Sequence, residues 1–481
     1  MKGNALRVYR PFWRGTRRKS PLALQGSETA HRRSHARGLS HALLPALLAS
    51  ALSGMTLAGA RAQDAPKPAD KPASTDAGKV AQAAPAQPAP AQPAQPAPAP
   101  AAPAGPAPGS VTYSGLVDIY YGINTRSPAA AVGNGPFTGV TTVGSPGEFI
   151  GVDNFGRAFD INDRTPSFSL GEINIVRTAN KSLPIGITAT LTVGDTARLV
   201  HANEPGGTSS WQTLQQLYFT YTSHWAGRDM TWDFGKFVTP FGNEVIESSS
   251  NDNYSRSFGF VYAVPLYHAG LRLTTPLNSR LSLVAGLVNG WNDVADDNNG
   301  KSAFGQLTWK PSSNVTTVFG YMGGPEGTGA FGSGIPTDGG GSIGLSLGEF
   351  IGTWQANSKL KLVVEADHAR GAGTVLGVPV SGSWVEMAGY ARYQLTPKIA
   401  LAARVEQFED IPGANGLGLH FGGYTKLNSA TLTAEYLSLR GHLVSRLEYR
   451  HDHSNYGLFG TASGVAVSDQ DTIYLGEVYK F

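Results

Sequence analysis

Between residues 244 and 256 the chain sets three carboxylates, Glu244, Glu247 and Asp252, beside Arg256. Five further arginines, Arg272, Arg392, Arg404, Arg446 and Arg450, stand later in segments of period two. Acids and arginines held on opposite sides of a narrow passage make a transverse field, which sorts solutes by charge and size. The same stretch carries Phe241, Phe258, Phe260, Tyr262 and Tyr267. A connector lying in solvent has no use for so many rings, whereas one folded back onto an inner wall does. The expectation is that residues 239–267 enter a cavity and narrow it, with their acids facing the arginines. A surface flap is the alternative.

Other candidate chemistry is weaker. His451-Asp-His453 with Ser454, and Asp367-His368, offer acid–base groups, but no nucleophile stands at a related spacing, so no catalytic residue is assigned. Asp296-Asp-Asn-Asn-Gly-Lys301 is rich in oxygen donors but lacks the spaced acidic pattern and distal Glu of a calcium loop. It reads as an Asx-rich turn. No phosphate-cradling glycine loop is present, and no metal or cofactor is expected.

Side chains of this kind need elements that alternate. Ile185, Ile187, Ala189, Leu191 and Val193 fall on one face of a strand whose other face is Gly186, Thr188, Thr190, Thr192 and Gly194. That is a strand with lipid on one side and water on the other. Leu281/Leu283/Ala285/Leu287, Leu360/Leu362/Val364/Ala366 and Ile399/Leu401/Ala403/Val405 repeat it. Short connectors are expected at Asn180–Pro184, His224–Asp229, Pro276–Arg280, Pro311–Asn314, Ala356–Lys359, Thr396–Lys398 and Arg440–His442. Long ones are expected between them, at 124–167, 195–210, 239–267, 292–301, 323–342, 370–383, 409–429 and 454–470. Seven short turns and eight long loops give sixteen strands, with both chain ends on the short-turn side. Counting 417–425 as a strand would spoil this parity, so it is assigned to a loop. A soluble propeller or sandwich stack would show uniform connectors and a recurring blade motif, and neither is visible.

Opposite the apolar phase lie Glu172, Arg272, Glu365, Asp367, Glu386, Arg392, Arg404, Glu406, Arg446, Glu448, Arg450 and Asp452. A charge at the midplane of the lipid face costs about 2–4 kcal/mol, so this phase must face a lumen. The arginines form either a selective positive wall or part of a salt-bridged network that stiffens the barrel. The last strand alternates Ile473, Leu475, Tyr479 and Phe481 and ends on the aromatic. Tyr479 and Phe481 are therefore assigned to an interfacial belt and to a signal read by a barrel-insertion machinery.

Composition agrees with this. The 481 residues include 60 Gly and no Cys, and no ordinary stretch reaches the length of an apolar spanning helix. Residues 1–62 hold 11 of the 38 Lys and Arg but one of the 35 Asp and Glu, which leaves the rest with a net charge of −7. A nucleic-acid partner loses its support once those residues are removed. Basic residues 2–37, apolar 42–60 and the small-residue site Ala60-Arg61-Ala62 make 1–62 a signal peptide with a long basic start. Residues 63–110 are an Ala/Pro/Gln-rich periplasmic linker, too short for a plug domain and either a spacer or passive. Residues 111–481 form the barrel.

The run TPFGNEVIESSSNDNYSRSFGFVYAVPLYHAG, followed by LVNGWNDVADDNNGK, resembles the β-barrel porin-2 (OmpL-like) family of bacterial outer-membrane proteins. The resemblance extends over most of 111–481 and includes LEYRHDHS and the terminal Phe. It implies a porin and names no solute. Phosphate-selective porins are similar in outline, but this chain lacks a Lys-rich eyelet.

The sequence thus describes an all-β protein, a transmembrane antiparallel barrel of about sixteen strands in the outer membrane of a Gram-negative bacterium. The expected activity is passive diffusion of small hydrophilic solutes or ions, without enzymatic turnover. The expected partners are outer-membrane lipid, the insertion machinery, those solutes and further copies in a homo-trimer. An occluded barrel that anchors the envelope or presents its loops is the alternative.

Overall fold

The computed structural model describes residues 109–128, 153–180, 182–202, 204, 213–296, 298–327, 342–375, 378–413, 419–421 and 423–481. The expectations for the leader, and for the linker up to residue 108, fall outside these. Sixteen strands follow one another: β1 (Val111–Asn124), β2 (Pro166–Arg177), β3 (Ile185–Val193), β4 (Leu214–Trp225), β5 (Arg228–Val238), β6 (Tyr267–Asn278), β7 (Leu281–Val288) and β8 (Ser302–Ser312). The second half is β9 (Val315–Gly327), β10 (Ser342–Gln355), β11 (Leu360–Val375), β12 (Val378–Thr396), β13 (Ile399–Pro412), β14 (Thr425–Ser438), β15 (Leu443–Ser454) and β16 (Asp469–Lys480). Each pairs antiparallel with its sequence neighbours, and β1 pairs with β16, so the sheet closes on itself. Closure removes every unpaired strand edge, which hydrocarbon would not tolerate. At the seam the last residue takes part directly: Gly115 N donates to Phe481 O at 3.0 Å, and Phe481 N donates back to Gly115 O at 3.0 Å.

Alternation decides which side chain faces where. Leu191, Leu401, Leu432, Leu447 and Leu475 point outward and are exposed, while their inward neighbours Thr190, Ala402, Thr433, Arg446 and Tyr474 are buried. Trp225, Trp309, Trp354, Tyr393, Tyr436, Tyr479 and Phe481 ring the outer surface within a few residues of the short turns. Tyr121, Phe168, Tyr321 and Tyr449 lie toward the other end. Two aromatic girdles around an apolar band are what a bilayer selects. Gly235, at φ 140°, interrupts the phase on β5, and a Cβ there would come 2.2 Å from Leu217 O. The irregularity lets Asp233 and Lys236, three residues apart, both turn inward.

All seven short turns lie where alternation puts them. One long connector does not. Residues 370–375 and 378–383 are strand, because β11 and β12 run on as a paired ribbon. Gly371, Ala372 and Gly373 face Gly382, Ser381 and Val380 across the pair. Small residues beyond the membrane need no apolar phase, so backbone pairing continues where the side-chain pattern stops. Strand ends at Gly327, Ser342, Pro412 and Thr425 similarly shorten two other connectors, and the 292–301 connector begins earlier, after Val288. Residues 419–421 and 423–424, within the stretch assigned to a loop, are not strand.

Candidate pore constriction

The β5–β6 connection, residues 239–266, carries the acids and rings singled out above, and its contacts are with the inner faces of distant strands. Gln306 of β8 donates to Pro240 O at 2.6 Å. Gly242 N donates to Glu349 of β10, and Asn243 N to Glu365 of β11 at 2.8 Å. Tyr254 N and Ser255 N both donate to Glu448 of β15, at 2.5 and 2.9 Å. Ser248 Oγ and Tyr254 Oη reach Asp118 of β1 at 2.6 and 2.9 Å. Phe241, Phe258, Phe260 and Tyr262 are buried among Phe304, Phe408, Trp384 and Phe421. Their burial answers why the connector is so aromatic. A single wide turn at Gly259–Ala263 sets Ala263 O to accept from Trp384 Nε1 at 3.2 Å.

The predicted charged residues do not form two facing rows. Glu244 meets Arg404 at 2.7 Å and also accepts from Ser257 N. Asp252 meets Lys361 at 2.8 Å and lies 4.0 Å from Arg392. Among the described residues Glu247 meets no arginine; it accepts from Gln215 and lies against the carboxyl of Glu172. Arg256 turns back onto its own segment, donating to Tyr254 O and Ile246 O, with its guanidinium over the Phe159 ring. Arg272 pairs with Asp233 of the neighbouring strand at 2.8 Å. Arg446 pairs with Glu435 at 2.7 Å and donates to the carbonyls of Ser248, Asn251 and Asn253. Arg450 pairs with Asp452 at 2.7 Å and donates to Arg256 O at 2.5 Å. The arginines of β13 and β15 are thus held mainly by backbone oxygens of the connector and by strand carboxylates. Arg404, Arg446 and Arg450 are at most 2% exposed, and charge buried to that depth demands partners; Glu406 adds an ion pair to Arg404 and Arg450 at 3.1 and 3.4 Å.

The adjoining stretch of wall, β10–β12, carries carboxylates without that compensation. Glu349 and Glu365 have the backbone donors above, with Gln306 and Tyr390 as further partners. Asp367 and Glu386 are 2% and 0% exposed, and none of their carboxylate oxygens has a hydrogen-bond partner. Gly259 packs directly on Glu386: a Cβ there would lie 2.6 Å from the carboxyl group.

Several participants leave no periodic trace in the sequence. Arg157 sits in the β1–β2 connection and meets Asp160 at 2.5 Å and Asp452 at 2.6 Å. Asn154 of the same connection donates to Tyr474 Oη at 2.9 Å, and Tyr262 Oη donates to Gly156 O at 3.1 Å. A short helix α1 (Asp195–Val200) after β3 buries Thr196 against Ser169, and beyond it His201, Glu204 and Lys236 form one polar cluster. Asp118 of β1 and Glu349 of β10 are also absent from the inward charges expected above, although strand phase was the signal that could have found them.

At the long-loop end, Asp410 accepts from the backbone N–H groups of Leu419, His420 and Phe421 at 3.0, 2.9 and 2.8 Å. The His420 ring lies 4.8 Å from Trp384, and burial lowers its pKa although nearby Asp410 opposes this. A histidine lowered in the folded state stabilises the fold above its unfolded value of about 6.5 and loses that contribution as pH falls. Acidification from pH 7.5 to 5 is therefore expected to lower the unfolding temperature and shift Trp384 fluorescence. His420→Phe should remove that part of the pH dependence; an unchanged profile would exclude His420 as its source.

Among the other candidate groups, His451, His453 and Asp296 have structural partners. His451 pairs with Asp471 at 2.8 Å and His453 with Asp469 at 2.7 Å, side by side on the outer face of β15 and β16. Asp296 is paired with Lys301 across its own turn. A polar cavity of about 460 Å³ lies at the short-turn end and another of about 400 Å³ beside Arg370 at the other.

The family model described as "Putative beta-barrel porin-2, OmpL-like" matches residues 110–481. No curated protein matches the sequence. Among solved structures, the outer-membrane expressed OmpT of Vibrio cholerae is similar, at 12% identity and a TM-score of 0.48, over 77% of this chain and 97% of that one. An anion-selective porin from Comamonas acidovorans gives 11% identity and a TM-score of 0.47, over 77% and 99%. The outer membrane channel DcaP of Acinetobacter baumannii gives 10% and 0.46, over 77% and 97%.

Proposed function

The chain belongs to the β-barrel porin-2 (OmpL-like) family of outer-membrane barrels, and from that premise we propose that it is a non-enzymatic pore for small hydrophilic solutes or ions, narrowed by residues 239–266. The observation that carries this reading is the anchoring of that connection to inner faces on both sides of the barrel, from Asp118 of β1 to Glu349 of β10 and Glu448 of β15. A segment so held sets the free cross-section, and the Glu244–Arg404 and Asp252–Lys361 pairs set the field within it.

A second reading is favoured by one observation. Nearly every lumen charge of β13 and β15 is fully buried, as in an occluded barrel whose network serves stiffness. Single-channel recording of the full chain in a planar bilayer separates the two. Stepwise conductance, enlarged by deletion of Asn243–Ser255, supports the pore; conductance unchanged by the deletion removes the constriction. A folded, heat-modifiable barrel that never conducts establishes the occluded form.

Residues 1–62 act in this reading as an export leader and 63–110 as a linker in the periplasm. Tyr479 and Phe481, exposed on the outer face of the seam strand, present the signal to the insertion machinery. The barrel works as a homo-trimer.

A further inference from the structure

The cavity at the short-turn end is walled by the tip of the 239–266 connection, by the ends of β10–β12 and β14–β16, and by the turn between β10 and β11. Five cations line it: Lys359, Lys361, Arg392, Arg446 and Lys480. Two carboxylates answer them. Glu435 takes Arg392 and Arg446, and Asp252 takes Lys361. Lys359 and Lys480 form no ion pair among the described residues, so the cavity carries an excess of three positive charges. Its uncharged lining adds hydroxyl and amide donors, Ser358 and Gln355 among them.

The surroundings reinforce this charge. Arg228, Arg280, Lys310, Lys398 and Arg440 sit at the other short turns, with Asp229 the one carboxylate among those turns within the described residues. A basic rim around a concave, low-dielectric mouth concentrates anions at its centre. About 460 Å³ lies within the range of small-molecule sites, which is more room than a chloride ion requires.

We propose that this cavity binds a small multivalent oxyanion, whose carboxylate or phosphate groups span the unpaired ammonium groups of Lys359 and Lys480. Lys359 enters from the β10–β11 turn and Lys480 from the end of β16, so two negative groups on one molecule meet two separate walls. A monovalent anion satisfies one wall only. Arg392 and Arg446, fixed on Glu435, supply the field between them. This deepens the pore reading by naming the class of solute that collects at the constriction, although binding itself requires no passage.

The test is calorimetric titration of the folded full chain in detergent with citrate, with inorganic pyrophosphate, and with chloride as control. The K359Q/K480Q double variant is titrated alongside, with folding checked by heat-modifiable mobility. Saturable binding of citrate or pyrophosphate is expected, weakened by salt and reduced about ten-fold or more in the double variant. Preference for citrate assigns a polycarboxylate, and preference for pyrophosphate a phosphate compound. Binding of neither, or equal binding by the double variant, overturns the proposal. A chain that binds but never conducts sinks the pore reading alone, and one that conducts without binding sinks this inference alone.

Discussion

Arg446→Ala is expected to free the tip of the 239–266 connection, raising single-channel conductance and lowering stability together. The guanidinium donates to Ser248 O at 2.5 Å, Asn251 O at 2.6 Å and Asn253 O at 3.1 Å while holding Glu435 at 2.7 Å. Three carbonyls spread over six residues thus converge on one side chain that is 2% exposed. Alanine removes this donor from Asn251 O and Asn253 O, and leaves Ser248 O with Asn251 N and Glu435 with Arg392. Breaking a buried pair in this way costs about 3–5 kcal/mol. Arg446→Lys keeps the charge but not the planar fork, so it should fall between alanine and the parent. Conductance and urea midpoint measured on the same preparations decide the matter. If alanine lowers the midpoint but leaves conductance unchanged, the tip does not bound the open cross-section.

Glu386→Gln should act in the opposite direction on stability. Its carboxylate is fully buried beneath Gly259, has no hydrogen-bond partner, and faces like charge from Glu365 and Asp367. An amide of the same shape removes the desolvated charge and the repulsion, a gain of about 1–3 kcal/mol. Asp367→Asn should behave likewise, and the two should be less than additive because they relieve one shared repulsion. The measurement is the urea midpoint at pH 8, where an ionised carboxylate is most costly. A lower midpoint for Glu386→Gln would mean that the carboxylate holds a stabilising partner, and the uncompensated wall would have to be abandoned.

Strand phase makes the barrel readable in the sequence. One apolar residue in two, broken at Asn180–Pro184, Thr396–Lys398 and the other short turns, suffices to count sixteen strands and to place Arg404 or Glu448 inside. Alternation stops where its physical cause stops. Beyond the bilayer nothing enforces an apolar face, so the β11–β12 ribbon, with its glycines and serines, is indistinguishable from a loop. Nor does phase say which inward charge meets which. Glu247 lies against Glu172 and Arg256 folds back on Ile246 because the path of the connector, not spacing along the chain, brings them there. Arg157 was invisible for the same reason: it lies in a connector without a period, and its partner Asp452 is 295 residues away.

The closure of β1 on β16 has a temporal consequence. The 239–266 connection leaves β5 early in the chain, yet the groups that grip it, Glu448, Arg446 and Arg450, belong to β15 and arrive near the end. Phe481 then bonds Gly115 across the seam. Those grips cannot form until β15 is in place, so the connection takes its final path only when the last hairpin arrives. Completing the ring and fixing what lies inside it thus depend on the same last hairpin, β15 and β16.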